Sequence, residues 1–257
     1  MSVAIPQRSQ FAFPFCALVF AVLLGVQALW LLVPELARPR IPNFPVDKAS
    51  AESVAGHRGL AGFAAEIGAV RGDLWADYAL ALSAGLLDES GDVAESTRNV
   101  AVTAAKLVPT DSRIWLLLAL IDQHRDQLGH GISGPLKMSY YTGPNAMDLI
   151  PTRLQLAVSS AAINDPELQD LVSREIRTIV TRRPDLRPAL FRAYHAASSE
   201  GRRFIEAKVG DLDRNLLASL RAGGSPPADA NQTPQGTRQR GSGAPAENSQ
   251  TSGANAR

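Results

Sequence analysis

The most informative feature of this sequence is a run of 23 residues without a charged side chain. Residues 11–33 begin with Phe11, end with Val33 and include fourteen Leu, Val or Phe residues. As an α-helix the run would be about 34 Å long, and a bilayer has a hydrocarbon core about 30 Å thick. Pro34 follows directly, and proline disfavours the continuation of a helix. The sequence therefore predicts a membrane-spanning helix over residues 11–33, after a short tail of residues 1–10.

Two opposing signals bear on the side of the membrane where the remaining body lies. Arg38, Arg40 and Lys48 follow the run, while Arg8 and the amino terminus precede it, and this count favours a cytoplasmic body. A short charged start before an apolar segment is also the usual form of an uncleaved export signal, which leaves the body outside. We predict a single-pass protein with a periplasmic body. The alternatives are a cytoplasm-facing body, and a cleaved signal with its cleavage site near residues 26–28.

The body from residue 50 to residue 221 has the pattern of an all-α domain. Leu168, Val172 and Ile176 recur every four residues, which is typical of an amphipathic helix. The run 114–121 is apolar on every face but too short to cross a bilayer. It predicts a central helix surrounded by others. We find no alternation typical of strands.

The boundaries of these segments are marked by turn and capping residues. Residues 34–49 contain several prolines, which predicts a stiff spacer that holds the body off the bilayer. Asp165 precedes a proline and a glutamate and so predicts a helix N-cap, and Ser199 is expected to cap the last helix. Residues 222–257 have no aliphatic side chain larger than Ala, so we expect this tail to be disordered.

Three segments of the body share a layout in which a proline ends one helix and the sixth residue after it is large and apolar. The prolines are 35 and 40 residues apart, which is close to the length of one helix-turn-helix unit. The pairs are Pro109 with Trp115, Pro144 with Ile150, and Pro184 with Leu190. This layout resembles the tetratricopeptide repeat family over residues 72–197. The resemblance implies stacked helical hairpins with a concave face that holds partners.

Composition and motifs argue against several classes of function. The net charge of +1 gives no concentrated basic face for nucleic acid. His124 and His130 lie near Asp122 and Asp126, but a gap of six residues does not place two histidines on one helix face. The single cysteine, Cys16, lies in the apolar run, and no nucleophile motif or phosphate-binding glycine loop occurs. We therefore predict no catalytic residue, no metal and no cofactor.

Six side chains are candidate partner-binding residues. Tyrosines beside a groove commonly anchor partners, and clustered arginines bind anionic groups. The candidates are Tyr140, Tyr141, Arg182, Arg183, Arg187 and Arg192. The alternative for the tyrosines is packing against the next repeat, and for the arginines it is a place at solvated helix ends.

These patterns together predict a scaffold that is anchored in a bacterial inner membrane and binds proteins of the cell envelope, in an assembly for polysaccharide synthesis or export. A bacterial source is favoured by 22 Arg against four Lys. An acidic excess over residues 49–128 and a basic excess over residues 174–221 also permit head-to-tail homo-oligomers. The alternatives are a cytoplasm-facing adaptor and an envelope enzyme that acts on sugars or peptidoglycan through Tyr140, Tyr141 and nearby carboxylates.

Overall fold

A computed structural model describes residues 9–38, 44, 54–83, 91–125 and 131–223. Within these ranges the chain forms α-helices joined by turns and short 3-10 helices, and none of the described residues is in a strand. The predicted all-α fold is thereby confirmed. The helices are α1 (Ser9–Ala37), α2 (Arg58–Ile67), α3 (Gly72–Ser83), α4 (Gly91–Leu107), α5 (Ser112–Arg125), α6 (Ser133–Thr142), α7 (Ile150–Ser159), α8 (Pro166–Thr181), α9 (Arg187–Ala196), α10 (Ser199–Leu212) and α11 (Arg214–Arg221). Apart from residues 222 and 223, which form a turn, the predicted disordered tail lies outside the described residues.

Helix α1 is long and apolar enough to cross a membrane, but it does not end where the sequence predicted. It continues through Pro34 to Ala37. Proline cannot donate a hydrogen bond to the carbonyl four residues earlier, which belongs to Trp30, yet a helix tolerates this loss when packing supports it. Pro34 is buried although most of α1 is exposed, so the end of the helix is packed against the body.

The described residues at the start of the predicted spacer contact the body. The indole Nε1 of Trp30 donates to the carbonyl of Ile67, over 3.1 Å. Arg38 forms ion pairs with Asp77 at 2.7 Å and with Asp73 at 3.0 Å. Residues 34–37, assigned to the spacer, are the last turn of α1, and Phe44 is buried in the core. Residues 39–43 and 45–49 lie outside the described part of the chain.

The body is a series of helical hairpins. From α2 to α6 each helix packs against the next, and contacts also join α3 with α5, α6 with α8, α7 with α9 and α8 with α10. Pairing with the next and the second-next helix is the arrangement of stacked hairpins, in which each unit buries its apolar face against its neighbours. This packing agrees with the predicted all-helical body, while its assignment as a repeat array of the tetratricopeptide family stays a prediction.

The central helix of the array is α5, as its all-round apolar sequence predicted. Ile114, Leu117 and Ile121 are completely buried. After the three prolines, Ile150 and Leu190 are also buried, whereas Trp115 is half-buried and donates its indole N–H to the carbonyl of Pro109, over 2.7 Å.

The structure confirms one of the helix caps predicted from the sequence and corrects two predictions about the last helices. The carboxylate of Asp165 accepts hydrogen bonds from the amides of Glu167 and Leu168, which confirms the predicted cap of α8. The cap of α10 is Ser198, one residue before the predicted Ser199. The predicted last helix is two helices, because Asp213 interrupts it and caps α11 through its own carboxylate.

Candidate partner-binding pocket

A pocket of about 320 Å³ opens between α8 and the turn that follows α6. Its walls are apolar at Met147, Ile150 and Leu171, and polar or charged elsewhere. The residues contributed by α8 follow helical spacing, so one face of this helix forms a wall of the pocket. The lining residues are Tyr140, Pro144, Asn145, Met147, Ile150, Leu171, Arg174, Glu175, Thr178, Arg182 and Arg183.

The pocket is built around a buried pair, Tyr140 and Glu175. The hydroxyl of Tyr140 donates a 2.6 Å hydrogen bond to Glu175 Oε2. The guanidinium of Arg153 lies over the tyrosine ring, 5.1 Å from its centroid. This is within the range of a cation–π interaction, so Tyr140 contacts a cation through its ring and a carboxyl group through its hydroxyl.

The side chain of Arg153 is completely buried and is held in place by hydrogen bonds. Its Nε donates to Ser139 Oγ at 2.9 Å, and its two terminal nitrogens donate to the carbonyl oxygens of Gly143 at 2.8 Å and Ser139 at 2.6 Å. The hydroxyl of Ser139 in turn donates to the carbonyl of Ser112, at 2.8 Å. A planar guanidinium with several donors suits this set of fixed acceptors better than an ammonium group does.

Burial controls the ionisation of these groups. Burial removes the carboxyl group of Glu175 from water, which disfavours its charged form and raises its pKa to about 8. The hydrogen bond from Tyr140 and the positive charge of Arg153 oppose this rise. Burial, together with the neighbouring Glu175, raises the pKa of Tyr140 well above its usual value. At neutral pH the Glu175 carboxyl is therefore mostly protonated and contributes little negative charge to the pocket.

The rim of the pocket carries the positive charge. Arg174 and Arg182 are exposed, and their guanidinium groups make no hydrogen bond or ion pair with any residue that the structure describes. Arg183 differs, because it forms a 2.7 Å ion pair with Asp185. With Glu175 protonated, the pocket has two cations that no described residue neutralises, and it suits an anionic group.

Three of the six predicted binding residues meet at this pocket: Tyr140, Arg182 and Arg183. Tyr141 points elsewhere; it is half exposed, and its hydroxyl donates to a carboxylate oxygen of Glu167 at the start of α8. The remaining two arginines are not part of the lining. Arg187 donates to the carbonyl of Val180 over 3.4 Å, and Arg192 is exposed on α9.

Sequence reasoning missed Glu175, Arg174 and the supporting Arg153. A signal for the buried charges was present, because Glu175 lies within the apolar stripe that contains Val172 and Ile176. Arg153 similarly lies between apolar residues that face the core. A charged residue at a core position of an amphipathic helix indicates either a functional site or a buried polar network.

A metal site is not formed in the described part of the chain, where no three His, Cys, Asp or Glu side chains are close enough to hold an ion. His124 is exposed on α5, and its predicted neighbours His130 and Asp126 lie outside the described residues.

No protein-family model matches the chain, and neither a curated protein nor a solved structure matches it. The ligand of the pocket is therefore inferred from the side chains that line it.

Proposed function

We propose that this protein is a membrane-anchored scaffold whose helical array binds an acidic segment of a protein partner in the pocket between α6 and α8. The observation that carries the proposal is the presence of two guanidinium groups, on Arg174 and Arg182, that have no partner among the described residues and lie beside a pocket with apolar walls. A carboxylate side chain can accept hydrogen bonds from both groups, and neighbouring apolar side chains of the partner can occupy the space beside Met147 and Leu171.

The protonated state of Glu175 supports an anionic ligand. An ionised carboxylate within the pocket would repel a second carboxylate, whereas a neutral carboxyl group does not and can donate a hydrogen bond. Since the pKa of Glu175 is about 8, the pocket favours anions at neutral pH and loses this preference under alkaline conditions.

The proposed place of the protein is a bacterial inner membrane, with α1 as a single span and the body in the periplasm. The support is the length and apolar composition of α1. Reporters active only in the periplasm or only in the cytoplasm, fused in turn after Leu220, test the topology. Activity of the cytoplasmic reporter alone would replace the envelope scaffold by a cytoplasm-facing adaptor.

Site-specific photocrosslinking tests partner binding. A photoreactive residue in place of the exposed Asn145, on the pocket wall, is expected to crosslink in intact cells to a partner through an acidic segment identified by mass spectrometry. The matched control is the exposed Gln155 on α7, which does not line the pocket. Charge reversal of Arg174 and Arg182 should abolish the adduct at residue 145. An adduct that is unaffected by this reversal, or equally strong at residue 155, contradicts the proposal.

A second candidate function is an envelope enzyme acting on sugars or peptidoglycan. It is favoured by one observation, the raised pKa of Glu175 next to a tyrosine in a pocket, since such a group can act as a general acid. Glycoside hydrolysis generally uses two carboxyl groups, and Glu175 is the one carboxyl group among the described lining residues. Glu175→Gln should abolish turnover of peptidoglycan or polysaccharide if the protein is such an enzyme, and an unchanged rate dismisses that function.

A further inference from the structure

Helix α2 and the turn after it carry a stripe of large apolar side chains that faces away from the body. Leu60 is 54% exposed, Phe63 is 51% exposed and Val70 is 72% exposed, and Ile67 between them is partly exposed. Their spacing of three and four residues places Leu60, Phe63 and Ile67 on one face of the helix, and Val70 is exposed in the turn that follows.

The opposite face of α2 packs against the body through small side chains. Ala61, Ala64 and Ala65 are almost completely buried, and the latter two form a core cluster with Leu74 to which Ala37 of α1 adds a contact. A helix on the surface of a soluble domain normally turns its large apolar side chains inward. The reverse arrangement in α2 indicates a stripe that has an apolar environment of its own.

The contact between α1 and α2 fixes the height of this stripe along the anchor. Trp30 donates its indole N–H to the carbonyl of Ile67 over 3.1 Å, so the end of α2 lies at the level of Trp30. About 20 helical residues cross the hydrocarbon core, and Trp30 is the twentieth residue of the apolar run that starts at Phe11. Tryptophan is enriched at the membrane interface, where its polar N–H and apolar ring both find suitable surroundings.

Ion pairs keep the body in this position. Arg38 pairs with Asp73 and Asp77, and Arg71, next to Val70, pairs with Glu35 of α1 at 2.9 Å and with Asp73 at 2.7 Å. These contacts connect the end of the anchor to α3 and to the turn before it, and they place charged groups directly beyond the apolar stripe. This order of apolar and charged groups matches the transition from acyl chains to headgroups.

We propose that Leu60, Phe63, Ile67 and Val70 contact the phospholipid bilayer, so that α2 and the following turn lie in the interface beside the anchor. This inference rests on the proposed membrane anchoring of α1 and is independent of what the pocket binds. The body is then held against the bilayer at a fixed tilt, instead of being suspended from a flexible stalk. Glu66, beside the stripe, is exposed and stays hydrated at the headgroup level.

Fluorescence quenching by lipid tests this contact in the full chain. The single cysteine, Cys16, is replaced by serine, and one new cysteine at Leu60, Phe63 or Val70 carries a bimane label. Each protein is reconstituted into lipid nanodiscs with and without bromine on the acyl chains. Leu23 within α1 serves as the positive control, and the exposed Leu212 at the end of α10 is the matched negative control.

The expected result is a loss of most fluorescence in brominated discs for labels at residues 60, 63, 70 and 23, and no loss at residue 212. Full fluorescence at residues 60, 63 and 70 with quenching at residue 23 overturns the lipid contact while α1 remains membrane-embedded. If these unquenched labels also show blue-shifted emission, a second copy of the chain covers the stripe. Full fluorescence at residue 23 overturns both the membrane anchoring and this inference.

Discussion

Tyr140 and Glu175 lie 35 residues apart in the sequence, and the hydroxyl of Tyr140 donates a 2.6 Å hydrogen bond to the carboxyl group of Glu175. The two residues come from α6 and α8, so the bond joins neighbouring hairpins at the pocket. Because the carboxyl group itself is buried, it keeps a proton that an exposed glutamic acid loses at much lower pH, although the hydrogen bond from Tyr140 opposes this effect. The stability of the array and the charge of the pocket therefore depend on the same group.

Glu175→Gln should remove part of the pH dependence of stability. The pKa of Glu175 is about 8 in the folded protein and 4.5 without the fold, so the native state binds more protons between these values. The contribution of Glu175 to the free energy of unfolding is then largest at low pH. It falls by at most about 1.4 kcal/mol per pH unit as the pH rises from about 4.5 to about 8.

The glutamine variant keeps an acceptor for Tyr140 and has no proton to lose. Its stability relative to the natural protein should therefore increase with pH across this window, as measured by urea denaturation in detergent. Asp170→Asn, at an exposed position of the same helix, provides the control. A difference between the glutamine variant and the natural protein that stays constant with pH contradicts a buried, protonated Glu175.

Arg153→Lys should destabilise the fold although it keeps the charge. Lysine cannot reproduce the three hydrogen bonds from Arg153 to Ser139 and Gly143, and buried acceptors lose their partners. We expect a loss of about 1.5–3 kcal/mol in the free energy of unfolding. Arg177→Lys on the exposed face of α8 should change it by less than about 0.5 kcal/mol. Equal effects of the two substitutions in urea denaturation would show that the network around Arg153 contributes no specific stability.

Gly201 allows α10 to approach the end of α7. A Cβ atom at this position would overlap the carbonyl group of Val158, with its carbonyl carbon only 2.8 Å away, and Val158 also accepts hydrogen bonds from Ser198. Gly201→Ala should therefore cost about 1–3 kcal/mol of stability. Gly134 in α6 has open space around its Cβ position, so Gly134→Ala should stabilise by about 0.5–1 kcal/mol. Melting temperatures that move in the same direction would contradict this packing of α10.

The local parts of the fold were predictable because short-range patterns specify them. The apolar stripes, the carboxylate cap at Asp165 and the buried run in α5 each depend on residues within a few turns. The end of α1 was not predictable in this way. Pro34 normally stops a helix, and its tolerance depends on packing against a body that is distant in sequence. The break at Asp213 was missed because the apolar spacing continues across it while the aspartate caps a new helix.

The candidate site was predictable only as separate residues. Tyr140, Arg182 and Arg183 were identified by their chemistry, yet nothing in the local sequence shows that they share a pocket or that Tyr141 and Arg187 have other neighbours. The pocket depends on contacts between helices of different hairpins, which are tertiary and have no local signature. The pKa of a glutamic acid likewise depends on burial that only the assembled array provides.

Titration with an acidic peptide shows whether the pocket binds an acidic segment. A fluorescent peptide with adjacent glutamates next to apolar residues is titrated with the full chain in lipid nanodiscs, and its anisotropy is measured. We predict saturable binding that weakens above about pH 8, as Glu175 ionises, and falls about tenfold or more in the double variant Arg174→Gln, Arg182→Gln. Arg177→Gln, on α8 but outside the pocket, should bind like the natural protein. Equal affinity of all three proteins, or no binding by any of them, would contradict an acidic-segment pocket.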